Sequence, residues 1–259
     1  MKLSSARIKG LVFVLIILCV FAGLMTLGSF YDVIISETLY NPESVFAEIM
    51  SFLGKGSAFM IIPYCIIIAV LWILEFTGKR RFEDKRRWIE IAAFWAIYLV
   101  MAAALAYIAK VCWGRIRYYE LLQAGDSSLF TQWYEPQGNT GHDSFFSGHT
   151  ILSGSALVLF YCFNTLKDKE KANYQYTVLV VCILFMAVTA VSRIMLGMHF
   201  LTDVTFAGFL GFLIFYIDYS IMPFVKKLID KACMKIENIY KNKPFAHASE
   251  SASDNKTED

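Results

Sequence analysis

Residues 10–31 read GLVFVLIILCVFAGLMTLGSFY, twenty-two positions without a formal charge. About 20 apolar residues at ~1.5 Å rise span the hydrocarbon core of a bilayer, so this one run already predicts a membrane helix. The same reading repeats along the chain at 56–74, 91–109, 150–166 and 172–192, and at 204–225, where only Asp218 interrupts it. Six spans are therefore expected. Helices are the expected form, because a lipid-embedded backbone must satisfy its own hydrogen bonds and these runs lack the alternating pattern of a barrel. The fold class is all-α, a six-span helical bundle.

Composition agrees with the windows. Of 259 residues, 57% are hydrophobic and 18% are charged, against ~25% charged in soluble domains. A disordered chain, a secreted disulfide module and a nucleic-acid-binding domain are poor readings, and a net charge of +2 gives no reason to expect a polyanion partner. Cys19, Cys65, Cys112, Cys162, Cys182 and Cys233 are scattered, with neither zinc spacing nor a disulfide framework, and read as small core hydrophobes.

Orientation follows from the connections. Nineteen Lys and Arg fall before span 1, in 77–88, in 167–171 and after 222, against five in 32–55, 110–149 and 193–203. The basic excess marks the cytoplasmic side, so both termini are expected inside. The first run exceeds the ~7–15 apolar residues of a cleavable signal and reads as an anchor. Residues 1–222 form one membrane domain. A cytoplasmic extension, 223–259, follows it. Within that extension Phe224, Leu228, Ala232, Ile236 and Tyr240 alternate with Lys226, Lys227, Lys231 and Lys235, predicting an amphipathic helix on the inner leaflet and then a disordered tail. The glycosylation pattern at Asn255 falls on the cytoplasmic side and is discounted. In the first outer loop, Asn41-Pro42-Glu43 predicts a helix start and Gly54 a stop.

The outer side carries the chemistry. Lys110, Arg115, Arg117 and Arg193 lie at or near the outer ends of spans 3 and 5, against the usual charge bias, and His142, His149 and His199 are three of only four histidines. Several cations at one bilayer face can clamp a tetrahedral dianion, and phosphate is the natural candidate. Ser147 and Gly148 add a hydroxyl and an unhindered N–H where span 4 begins. His199 precedes Asp203 by one helical turn, a spacing at which the carboxylate can hold one imidazole nitrogen. That suits a nucleophile, and His149 suits an acid for the leaving oxygen. Taken singly, each residue has a blander reading. Headgroup contact serves for Arg115, loop packing for His142, and an interfacial aromatic belt for Trp113, Tyr118, Tyr119, Trp133 and Tyr134. Asp218 is expected near the inner leaflet, protonated or paired with a tail lysine.

Three blocks then form a recognisable set: Lys110 and Arg117 within KVCWGRIRY; Ser147-Gly148-His149 within FFSGHT; and Ser192-Arg193, His199 and Asp203. With these blocks the chain resembles the type 2 phosphatidic acid phosphatase family, membrane relatives of bacterial acid phosphatases and vanadium haloperoxidases. Two positions depart from the family pattern. Tyr118 and Phe146 stand where it usually has proline, which changes backbone stiffness and not the reacting groups. The resemblance covers 100–222. It implies that His199 attacks phosphorus, with Asp203 orienting it, and that His149 protonates the leaving lipid oxygen and then activates water. Lys110, Arg117, Arg193, Ser147 and Gly148 would hold the phosphoryl oxygens, with no metal or other cofactor. The expected protein is a multi-pass cell-membrane enzyme with an extracytoplasmic site. Phosphatidate, phosphatidylglycerophosphate, undecaprenyl diphosphate and lipid A phosphates are all open as substrates. Rival readings are a silent lipid-phosphate carrier, a vanadate-dependent haloperoxidase and, more weakly, a transporter.

Overall fold

The computed structural model describes residues 5–77, 84–165 and 174–241. Residues 78–83 of the first basic connection, the basic 167–171 link and the C-terminal tail with Asn255 lie outside them. The described residues contain helices and no strand: α1 (Ser5–Leu39), α2 (Val45–Phe59), α3 (Ile61–Phe76), α4 (Lys85–Trp113), α5 (Tyr118–Ala124), α6 (Gly148–Ser153), α7 (Val158–Asn164), α8 (Gln175–Met195) and α9 (Leu201–Lys241). Among them, five stretches are long and apolar enough to cross a membrane: Val14–Leu39, Val45–Phe76, Lys85–Ala124, Gln175–Met195 and Leu201–Asn238. The protein is an all-helical membrane protein.

The fourth expected span corrects the sequence reading. Over 150–165, the described part of that window, the chain is not one continuous α-helix; α6 gives way to a 3₁₀ turn over Gly154–Leu157 before α7 begins. The tightened turn keeps backbone bonds of its own, the Gly154 N–H reaching Ile151 O and Leu152 O and the Val158 N–H reaching Ser155 O and Ala156 O, and neighbouring helices close in on the same carbonyls. They do so from three sides. The Tyr98 hydroxyl of α4 donates to Ile151 O at 2.8 Å and the Cys182 thiol of α8 to Ala156 O at 3.2 Å, while Ser57 Oγ of α2, which donates to Gly54 O at 2.8 Å, lies 3.4 Å from Leu152 O. A Cβ on Gly154 would lie 2.0 Å from the Tyr98 oxygen, so glycine leaves room for that hydroxyl.

The helix expected from Asn41 and Pro42 starts later. Ser44 caps α2 by accepting from the Ala47 N–H, and Gly54, expected as a stop, lies inside the helix. Ala47, Ser51, Gly54 and Ala58 form the buried face of α2, a stripe of small residues that lets α8 approach closely. The approach is tight enough that a Cβ on Gly54 would sit 2.4 Å from Thr189 Cγ2.

At the opposite end, α9 runs unbroken through Pro223 to Lys241. Phe224 and Leu228 are exposed, while Cys233 is buried. The charges of this stretch meet the start of α4: Arg86 pairs with Asp230 at 3.6 Å and Glu237 at 3.3 Å, and Lys226 with Glu90 at 3.1 Å. Lys226 is thus committed to Glu90, and Asp218, fully buried, has no hydrogen-bond partner among the described residues. Of the two states expected for Asp218, protonated or paired with a tail lysine, the lysine pair is not formed.

Replacing Gly54 by Ala forces α2 and α8 apart and should cost about 1–3 kcal/mol. It should register as a lower thermal midpoint in detergent micelles. An unchanged midpoint would refute the close-approach account.

Candidate active site

The end of α4 sets the first motif block. Lys110 lies in the last turn of α4, and Gly114 follows in the left-handed region at φ 55°. Side chains rarely tolerate that conformation, and a Cβ there would also come 2.1 Å from Gly138 O. The helix end is closed by the long segment leading to Ser147: Gly138 N–H donates to Cys112 O at 3.0 Å, Gln137 N–H to Trp113 O at 2.9 Å, and Thr140 Oγ1 to Gly114 O at 2.7 Å. These bonds satisfy carbonyls that α4 leaves unpaired and fix the chain that brings Asp143 and Ser144 into the site.

His199 lies between α8 and α9 and is 3% exposed. Its Nδ1 faces Ser144 O at 2.7 Å, whereas Asp203 Oδ2 is 3.7 Å away, beyond a hydrogen bond. The direct His199–Asp203 bond expected from the four-residue spacing is therefore replaced by an indirect one. Asp203 accepts from Ser144 Oγ at 2.5 Å and from the Phe200 N–H at 2.9 Å, the second bond capping the first turn of α9. Asp203 fixes Ser144, and the Ser144 carbonyl fixes the imidazole. Burial is the largest influence on His199 and lowers its pKa, with Arg193 and Arg117 adding to the effect and Asp203 opposing it.

Ser147 caps α6, its Oγ accepting from the Thr150 N–H at 3.3 Å and the Thr150 hydroxyl at 2.9 Å. Its own N–H donates to Asp203 O at 3.3 Å, joining the second and third blocks. A Cβ on Gly148 would meet nothing within 4 Å, so the helix start opens onto free space. His149 lies within electrostatic reach of Arg193, His199, Lys55 and Lys110. Arg193, 7% exposed, donates to Ser51 Oγ at 2.6 Å and is within electrostatic reach of Arg117. Lys110 donates to Asp143 Oδ2 at 2.8 Å, and Arg117 pairs with Asp143 Oδ1. Burial would raise the Asp143 carboxyl, but the Lys110 hydrogen bond and the charges of Arg117 and Lys110 outweigh it and hold its pKa below the ordinary value. The structure thus brings together all eight residues singled out in the sequence: Lys110, Arg117, Ser147, Gly148, His149, Arg193, His199 and Asp203.

Other residues of the site escaped the sequence reading. Arg115 makes no headgroup contact; it is fully buried between the rings of Phe130 and Phe200, 5.1 and 4.5 Å from their centroids. Its guanidinium donates to Asp203 Oδ1 at 2.5 Å, Thr202 Oγ1 at 2.8 Å, Asp32 Oδ2 at 2.9 Å and Thr131 O at 2.9 Å. Asp32, on α1, also accepts from the Thr202 N–H at 3.0 Å. His142 pairs with Glu120 at 3.0 Å. Of the five residues of the expected aromatic belt, Tyr118 is buried against Tyr40 and Phe200, Trp113, Tyr119 and Trp133 are partly exposed, with Trp113 stacked on Phe145 at 4.8 Å and Trp133 donating to Ser29 Oγ at 2.8 Å, and Tyr134 is exposed. Among the described residues no group of His, Cys, Asp and Glu is arranged to hold a metal ion.

Arg115→Met leaves Asp32 and Asp203 buried without their shared cation and should cost roughly 3–5 kcal/mol. Asp32→Asn, which keeps Asp203 as Arg115's partner, should cost less. Denaturation of the two variants in micelles measures both, and equal losses would contradict the arrangement.

No curated protein matches the chain. A crystal structure of a transmembrane PAP2-type phosphatidylglycerolphosphate phosphatase from Bacillus subtilis shares the fold, with a TM-score of 0.50 and 18% identity over 80% of this chain and 94% of that one. The family model of the PAP2 superfamily matches residues 91–227, a stretch that contains all three motif blocks. The chain belongs to the PAP2 superfamily.

Proposed function

We propose that the protein is a metal-independent lipid phosphatase that works through a phosphohistidine. One observation carries this reading. Nδ1 of His199 faces a carbonyl oxygen at 2.7 Å, and a nitrogen so placed must carry the proton, which leaves the lone pair on Nε2. A neutral imidazole, oriented and surrounded by Arg117, Arg193 and Lys110, is a nucleophile beside an anion clamp.

In the first step Nε2 attacks phosphorus, the bond from phosphorus to the lipid oxygen breaks, and His149 gives its proton to that oxygen. In the second, His149 takes a proton from water, the hydroxide adds to phosphorus, and the phosphorus–nitrogen bond breaks to release inorganic phosphate. Burial, and after it the charges of Arg193, His199, Lys55 and Lys110, disfavours the protonated form of His149, and a bound phosphoryl dianion offsets the charge part of that effect.

A lipid is the favoured substrate class. An apolar groove of about 560 Å³ runs from Thr150 and Leu201 between α1, α8 and α9, past Val20, Ala187 and Gly208 to Phe212. From Leu201 to Phe212 the helical rise is ~16 Å, about half of the ~30 Å hydrocarbon core and hence one leaflet deep. The bias of basic residues puts the site at the extracytoplasmic face of the cell membrane, with both termini inside. Lipid monophosphates such as phosphatidate or phosphatidylglycerophosphate, and prenyl diphosphates such as undecaprenyl diphosphate, carry the required headgroup.

Purified protein in micelles, with chelator present, should release phosphate from one or more of these lipids. His199→Ala should abolish release, and Lys110→Ala or Arg117→Ala should slow it roughly a hundredfold, ~3 kcal/mol of transition-state stabilisation. Release that survives in His199→Ala would sink the mechanism.

A pH profile tests the same nucleophile. Because the folded environment lowers the His199 pKa from 6.5, the imidazole stays neutral at neutral pH and is lost as nucleophile only when pH falls through the lowered value. The acid limb of kcat/KM should therefore lie below pH 6.5. A limb due to His199 above that value would be inconsistent with its burial.

A further inference from the structure

The two cations of the first motif block are both held by one carboxylate. Lys110 Nζ donates to Asp143 Oδ2 at 2.8 Å and to the Asp143 carbonyl at 2.9 Å, while Arg117 pairs with Oδ1. One oxygen on each cation is also how a phosphoryl group would engage this pair. Asp143 differs from the other carboxylate of the site. Asp203 is fully buried and bonded on both oxygens, whereas the Asp143 side chain is 41% exposed. The residues on either side are fixed, His142 by Glu120 and Ser144 by Arg115, Asp203 and His199. The Asp143 side chain can therefore swing off the cations by rotation alone, without moving the loop that orients the nucleophile.

We infer that Asp143 sets the occupancy of the site: its carboxylate competes with the ligand's phosphate for Lys110 and Arg117 and weakens every anion alike, so that weakly binding phosphodiester headgroups leave the cations largely unoccupied. The inference rests on the phosphatase reading above. A membrane presents an enzyme of this kind with a great excess of phosphodiester lipids, each carrying a single negative charge. Displacing Asp143 lowers the apparent affinity of every anion by the same factor, the fraction of time the cations stand free. A diester monoanion, which binds the cations less strongly, then falls below occupancy. A phosphomonoester dianion, which also reaches Arg193, still binds. After hydrolysis the returning carboxylate helps inorganic phosphate to leave.

The test is inhibition of lipid-monophosphate hydrolysis in micelles by inorganic phosphate and, separately, by phosphatidylglycerol. Asp143→Asn retains the backbone carbonyl that Lys110 uses and removes the competing charge. The inhibition constants for both inhibitors should fall together, by roughly three- to tenfold, as expected when a competitor occupying most of the population is removed. Asp143→Ser should give the same result and serves if the first variant does not fold. Unchanged or higher constants in an active variant would overturn the inference and make Asp143 a brace for the two cations. Wild-type protein that neither releases phosphate nor is inhibited by it would overturn the phosphatase reading instead.

Discussion

A charge buried in an apolar bundle must be matched on the spot, and the carboxylate of Asp203 is the charge around which this structure is arranged. It has no exposed surface, and an unpaired carboxylate there would cost several kcal/mol. Arg115, Ser144 and the Phe200 amide meet it. Each of these bonds fastens a different part of the chain: the turn after α4, the segment before α6, and the first turn of α9. Arg115 then needs a second anion, which Asp32 brings from α1. Satisfying one side chain thus gathers three segments that are remote in sequence, and the position of the nucleophile follows from that gathering.

A related demand, applied to the backbone, bears on the tightened segment over Gly154–Leu157. The turn at Gly154 keeps its own N–H donors, and Tyr98 and Cys182 add a second donor to Ile151 O and Ala156 O. Polar side chains within apolar runs therefore do two separate jobs here, some holding the reacting groups and others holding the chain that carries them.

This division explains what was legible in the sequence. Charge-free windows revealed the membrane helices because length and the lack of charge are all that a span requires. The motif residues were legible because histidines and cations are rare on that side of the chain and fall at recognisable spacings. Asp32, Ser51 and Ser144 gave no such signal. Each is an ordinary polar residue whose importance depends on a partner more than 50 positions away. Arg115 misled for another reason: an arginine at the end of a span normally reaches for headgroups, and only the stacked rings and two carboxylates around it reveal a buried ion. The His199–Asp203 spacing was read as a direct bond because i, i+4 contacts belong to helices, and His199 stands just before one. The 3₁₀ turn within the fourth window was not legible because apolar composition does not register a tightened turn.

The hydrogen bond from Arg193 to Ser51 reaches from a motif residue to a helix outside the region that defines the family. Asp32 lies outside it too. A chimaera that grafts residues 91–227 onto foreign leading helices would keep every signature residue and still lose the Ser51 contact to Arg193 and the Asp32 contact to Arg115, which in turn holds Asp203. Motif content and a competent site are thus separable properties in this protein, and the first two helices are where they part.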